Sequence, residues 1–169
     1  MRILITTPFF QFAGGSELET IHTANAFASF LEVQEVCVFV YGGYDLNFIK
    51  NIDIDEKIKF FNRPSFFSYK YVHRLNKKLK NILRLESLPF DYLYWKFKFF
   101  IKYDKVYIIT KTTLNYYVPI IKQFKSKKNI LVKFTTVFFD SVDKVSLKYL
   151  AQVKYNIVTS EKQKIFFIK

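Results

Sequence analysis

Met1-Arg2-Ile3-Leu4-Ile5-Thr6-Thr7-Pro8 begins the chain on a short apolar run, and beyond the loop Phe9-Phe10-Gln11-Phe12-Ala13 it continues Gly14-Gly15-Ser16-Glu17-Leu18-Glu19. Arg2–Thr7 is rich in β-branched residues and apolar on both faces, as a central parallel strand must be. Ser16 and Glu19 have capping-box spacing, in which each side chain satisfies a free N–H at a helix start. Leu18, Ile21, Asn25, Ala28 and Phe30-Leu31 then predict a helix with one largely apolar face.

Working outward, the alternation continues. Strands are expected at Glu35–Tyr41, Lys57–Phe61, Lys105–Thr110, Asn129–Thr136 and Tyr155–Thr159. Val72, Leu75, Leu79, Ile82 and Leu83 space an amphipathic helix over 69–86. Residues 89–103 are apolar at nearly every phase and are assigned to helix because they lie between two strands of a crossover. Leu114, Tyr117, Val118, Ile121 and Phe124 predict a further helix, whose start Pro119 limits. Leu147, Leu150 and Val153 predict a short one, and Ser160-Glu161-Lys162-Gln163 is a second capping box. The expected fold is a single α/β domain over 1–169, layered around a mostly parallel sheet.

Composition narrows the function classes. Half of the 169 residues are hydrophobic, which suits one domain with a substantial core. Four Gly and four Pro are too few for a turn-dense all-β fold. The lone Cys37, in an apolar run, excludes a disulfide framework within the chain and suggests a buried thiol in a reducing, cytoplasmic setting. No stretch approaches the roughly 18–20 apolar residues of a membrane span. One Cys and two scattered His cannot make a zinc site, so no metal is expected. Catalytic residues are not identifiable from spacing.

The turn at Gly14-Gly15 is the candidate site. In an open α/β sheet, ligands bind beyond the carboxyl ends of the strands, near the switch point. Paired glycines let main chain approach a ligand, and a helix start favours a phosphate. The plain alternative is a tight strand-to-helix turn. Neither the dinucleotide fingerprint nor the P-loop spacing is present, which disfavours a nicotinamide dehydrogenase and a nucleotide kinase. Asp140 and Asp143 follow the fifth strand, either facing the cleft or standing as loop residues before a helix.

The opening strand, its proline, the aromatic loop, Gly14-Gly15-Ser16-Glu17 and the following helix resemble the start of the group-one (family 4-like) retaining glycosyltransferases. Tyr155–Glu161 is similar to the strand-plus-serine element that closes their first domain, and Lys133–Asp140 to the strand end lining their acceptor cleft. The resemblance implies a Rossmann-like, N-terminal half of a GT-B enzyme, moving a sugar from a nucleotide donor to a glycan or lipid-linked acceptor with retention. It implies a donor-phosphate loop of Gly14, Gly15, Ser16 and Glu17, and an acceptor side shaped by Phe9, Phe10, Phe12, Thr136 and Asp140. No cofactor is implied beyond the nucleotide sugar as substrate. Two departures stand out. Thr135 and Thr136 occupy the place where many relatives carry a histidine, and the C-terminal donor-binding domain is absent from these 169 residues. The chain is therefore expected to be inactive alone and to need such a domain, from another chain in trans or from a missing continuation.

Charge adds a second theme. Residues 1–56 hold 2 basic and 8 acidic side chains, whereas 57–169 hold 25 basic and 6 acidic, a field that attracts anions. AT-rich coding, which favours Lys, Phe, Tyr and Ile, is the bland explanation. Lys70, Arg74, Lys77, Lys78 and Trp95 belong to a basic, aromatic stretch suited to an anionic membrane surface on the cytoplasmic side. Core packing of the aromatics is the competing reading, and nucleic acid ranks low because no OB or RRM pattern occurs. The alternative function is thus a non-catalytic Rossmann-like module that binds an anionic membrane or acidic partner.

Overall fold

The computed structural model describes residues 1–8, 10, 14–42, 52–98, 103–110, 117–135 and 144–159. Six strands form one sheet: β1 (Arg2–Thr7), β2 (Glu35–Val40), β3 (Ile58–Asn62), β4 (Lys105–Thr110), β5 (Ile130–Phe134) and β6 (Tyr155–Ile157). Their order is β3-β2-β1-β4-β5-β6, and every neighbouring pair is parallel. The chain moves outward one way from β1 to β3, then returns to the other side of β1 with β4. The crevice beyond the carboxyl ends of β1 and β4 is therefore the switch point of a Rossmann-like sheet.

Pleating sorts the strand side chains into two cores. Ile3, Ile5, Val36, Val38 and Val40 share one face with Ile21, Ala24 and Ala28 of α1 (Gly15–Ala28). Leu4, Phe39, Val106, Ile108, Val132 and Phe134 face the other way. There they meet Trp95 of α3 (Pro89–Lys98), Ile120 and Ile121 of α4 (Val118–Gln123), and Tyr149 and Leu150 of α5 (Lys144–Leu150). Helices on both faces make three layers. Among the described residues the remaining α-helix, α2 (Lys70–Ile82), follows a 3-10 turn at Ser65–Ser68.

Several expectations need correction. Trp95 was placed on a charged surface but is 0% exposed, edge-on to Phe39 at 4.7 Å. Such a ring pair adds about 0.5–1.5 kcal/mol to the burial of both rings. In α1 the inward residues are Thr20, Ile21, Ala24 and Ala28, while Leu18, Phe30 and Leu31 are exposed. The helix ends at Ala28, so Phe30 and Leu31 fall in the turn beyond it and leave its apolar face. His22 lies exposed on α1. Pro119 sits in the first turn of α4, where its missing N–H costs nothing, while Leu114 lies outside the described residues. The second capping box at Ser160–Gln163 lies outside the described residues.

A buried polar cluster joins the ends of β2 and β3 to the helical layer. The Arg63 guanidinium reaches both Asp91 carboxylate oxygens, at 2.8 and 2.9 Å. Tyr41 donates its hydroxyl to Asp91 at 2.6 Å, and the Asn76 amide donates at 3.1 Å. Asn76 in turn accepts from the Phe90 N–H at 3.0 Å. Removing one member of such a buried pair strands a charge, at a cost of about 3–5 kcal/mol.

Candidate functional site

The opening helix is built differently from the capping box expected at Ser16. Gly14 is the N-cap, with extended backbone, and the Leu18 N–H donates to its carbonyl at 3.0 Å. Ser16 lies inside the first turn and donates its hydroxyl to Glu17 Oε2 at 2.7 Å. Glu19 turns away to pair with Lys133 of β5. The true N-cap-to-third-residue spacing is Gly14 to Glu17, two positions earlier than the Ser-x-x-Glu pattern suggests. Glycine is an acceptable N-cap, which is the signal the sequence held.

Glu17 is 5% exposed and folds back over the N-cap, its Oε2 lying 2.5 Å from where a Gly14 Cβ would stand. Gly14 thus has an internal reason to lack a side chain. The carboxylate also places a negative charge at the positive end of α1, a favourable position. Gly15 is different. A Cβ there would have no atom of the described residues within 4 Å. One side of this helix tip is filled by the protein's own carboxylate, and the other is open among the described residues.

Around this turn the strand ends are tied together. The Tyr41 N–H donates to Thr7 and the Gly42 N–H to Pro8, at 3.0 and 2.7 Å, extending β1–β2 pairing past the strands. Thr135 donates its N–H to the Thr110 carbonyl at 3.0 Å, which closes the end of β4 on β5. The Glu19–Lys133 ion pair ties α1 to β5. Thr6 and Thr7, both fully buried at the end of β1, have hydroxyls without a hydrogen-bond partner. Leaving such a group unpaired costs about 1–3 kcal/mol.

Of the sequence-derived candidates, Gly14, Gly15, Ser16 and Glu17 come together at this edge. Phe10 does not line an open acceptor face, because it is fully buried against the Phe60 ring of β3 at 5.5 Å. Phe9, Phe12, Thr136 and Asp140 lie outside the described residues. Lys70, Arg74, Lys77 and Lys78 are exposed on α2. Sequence reasoning missed the buried Glu17, the Glu19–Lys133 pair and the Thr6 and Thr7 hydroxyls. Each depends on contacts distant in sequence or on a side-chain turn that spacing does not encode.

Other features are less suited to chemistry. Burial pushes the Cys37 thiol up to about 11, which leaves it protonated and unreactive at neutral pH. Among the described residues no cluster of His, Cys, Asp and Glu could hold a metal ion. A cleft of about 340 Å³ lies at the opposite, amino edge of the sheet, lined by residues including Met1, Ile3, Phe27, Lys105, Asn129 and Leu131. It is mostly apolar and far from the switch point. No helix among the described residues is long and apolar enough to cross a membrane. Compared with protein-family models, curated proteins and solved structures, the chain finds no match.

Proposed function

We propose that the Gly14–Gly15 turn receives a nucleotide sugar, and that this domain is the acceptor-side half of a retaining glycosyltransferase. The open face of Gly15 carries the reading. Its backbone lies outside the left-handed region and no atom of the described residues would crowd a Cβ there. Packing therefore gives no reason for a residue about 0.5–1 kcal/mol worse than alanine within a helix. A ligand that needs bare main chain close by supplies one.

The position at the carboxyl end of β1, beside the switch point, supports the same reading, as does the resemblance of the opening strand and turn. Glu17 refines it. The buried Glu17 carboxylate closes the Gly14 side, and the diphosphate is left to the N–H groups on the Gly15 side. In the transfer, the bond from the anomeric carbon to the diphosphate oxygen breaks and its electron pair leaves with the diphosphate. A bond forms to the acceptor hydroxyl oxygen, which gives up its proton. The helix tip would steady charge building on the departing diphosphate. A second domain holding the nucleotide, in the same or another chain, would complete the cleft and align both substrates.

Gly15→Ala separates packing from binding. Urea unfolding should show stability equal to the parent or higher by about 0.4–1 kcal/mol. Calorimetric affinity for uridine diphosphate-glucose should fall tenfold or more. Unchanged affinity, or a clear loss of stability, contradicts the reading.

A further inference from the structure

Helix α2 is strongly amphipathic, yet only part of its apolar face is covered: Val72 and Leu79 are half-buried, and the rest faces outward. Its one buried residue is Asn76, locked downward by its bonds to Asp91 and to the Phe90 N–H. Leu75 lies about 100° round the helix from that anchor. Tyr71, Leu75 and Ile82, at spacings of four and seven residues, form one stripe and are 82%, 50% and 64% exposed. Leu83 continues the exposed apolar surface past the helix end. The polar cluster below α2 therefore fixes its rotation so that the stripe points outward.

Cations frame that stripe. Lys78 falls within it, Arg74 beside it, and Lys70 and Lys77 further round the same side. Residues 57–85 contain nine Lys and Arg and no Asp or Glu. None of Lys70, Arg74, Lys77, Lys78, Lys80 and Arg84 forms an ion pair among the described residues. The helix also ends unusually. Arg84 takes a left-handed backbone with φ 48°, its N–H donating to Asn81 while the Leu85 N–H donates to Lys80. Glycine is the ordinary occupant of that position. A cation is kept here at the expense of backbone strain.

We infer that α2 is a docking surface for an anionic lipid bilayer. Tyr71, Leu75 and Ile82 would enter the headgroup boundary, while Lys70, Arg74, Lys77, Lys78 and Arg84 contact lipid phosphate. Charge decides among occupants. An apolar stripe bordered on one side by cations that have no ion pair among the described residues suits a surface both greasy and negative, which a bilayer of acidic lipids is. Lysine stems extend the apolar area while their amines reach upward. The surface is independent of the Gly14–Gly15 site, so either can fail without the other.

Co-sedimentation of the full chain with vesicles tests this. Binding to mixed phosphatidylcholine–phosphatidylglycerol vesicles is expected, with little to phosphatidylcholine alone and a marked loss at high salt. Leu75→Glu, on an exposed position, should weaken binding at least tenfold with unchanged unfolding. Arg84→Gly should weaken it about fivefold while raising stability. Equal binding to both vesicle types, or none to the acidic ones, overturns the inference. So does a Leu75→Glu variant that binds as well as the parent, since adsorption would then rest on charge alone. A stripe that mediates self-association, seen as Leu75→Glu dissociating a lipid-independent dimer, overturns it equally.

Discussion

Glu17 and the two glycines beside it show what a single residue type does and does not disclose. Gly14 and Gly15 are the same residue type, but a side chain at Gly14 would collide with a buried carboxylate, whereas one at Gly15 would meet none of the described residues. Spacing alone marked the pair and could not tell them apart. The threonines at the end of β1 carry a sharper residue-scale consequence. Thr6 is fully buried among apolar neighbours and its hydroxyl has no partner. Thr6→Val keeps the shape and removes the unmet group, so unfolding in urea should show a gain of roughly 1–2 kcal/mol. A loss of stability would mean that the hydroxyl is satisfied in the folded protein. A run reading Ile-Leu-Ile-Thr-Thr gives no hint of this, because threonine is an ordinary strand residue.

At the scale of elements, strands were the most legible. Lys105–Thr110 and Arg2–Thr7 were bounded correctly because dense β-branched runs between polar residues have one reading. Helix faces were harder to read. The outward Leu18 of α1 and the buried Asn76 of α2 contradict the rule that apolar residues point inward, since tertiary contacts overrode the pattern. Trp95 was misplaced for the opposite reason: in a segment apolar at every phase, no periodicity says which ring goes inside.

The junction of α4 and α5 gives an element-scale test. Lys148 and Tyr149 of α5 hydrogen-bond Glu86, and Lys122 of α4 approaches it at 3.5 Å. The Lys148 hydrogen bond, then that of Tyr149, holds the Glu86 carboxyl down at about 2, against an ordinary value of 4.5. Because the folded value is depressed, this contribution to stability is present above pH 4.5 and is lost as pH falls toward 2. The carboxylate is exposed, so the energy is small and the titration itself is the readout. A carboxyl-carbon titration by NMR should give a midpoint near 2, moving toward 4.5 in Lys148→Met. A parent midpoint near 4.5 would mean that the cluster does not hold in solution.

For the whole molecule, the alternation of strand and helix carried the fold, and the all-parallel order β3-β2-β1-β4-β5-β6 places the first turn beside the switch point. Crossover handedness constrains which face each helix covers but not the order of the strands, so the element sequence predicted a mostly parallel sheet without its order. The acceptor side was less accessible, because Thr136 and Asp140 lie outside the described residues and Phe10 serves the core. The account rests on main chain at Gly15 meeting a nucleotide sugar. An amide proton–nitrogen correlation spectrum, recorded as uridine diphosphate-glucose is added, tests this most directly. The largest shifts should fall on Thr7, Gly14, Gly15, Ser16 and Glu17. A spectrum unmoved at saturating ligand, or one whose shifts gather at Ile3, Lys105, Asn129 and Leu131 on the amino edge, would contradict it.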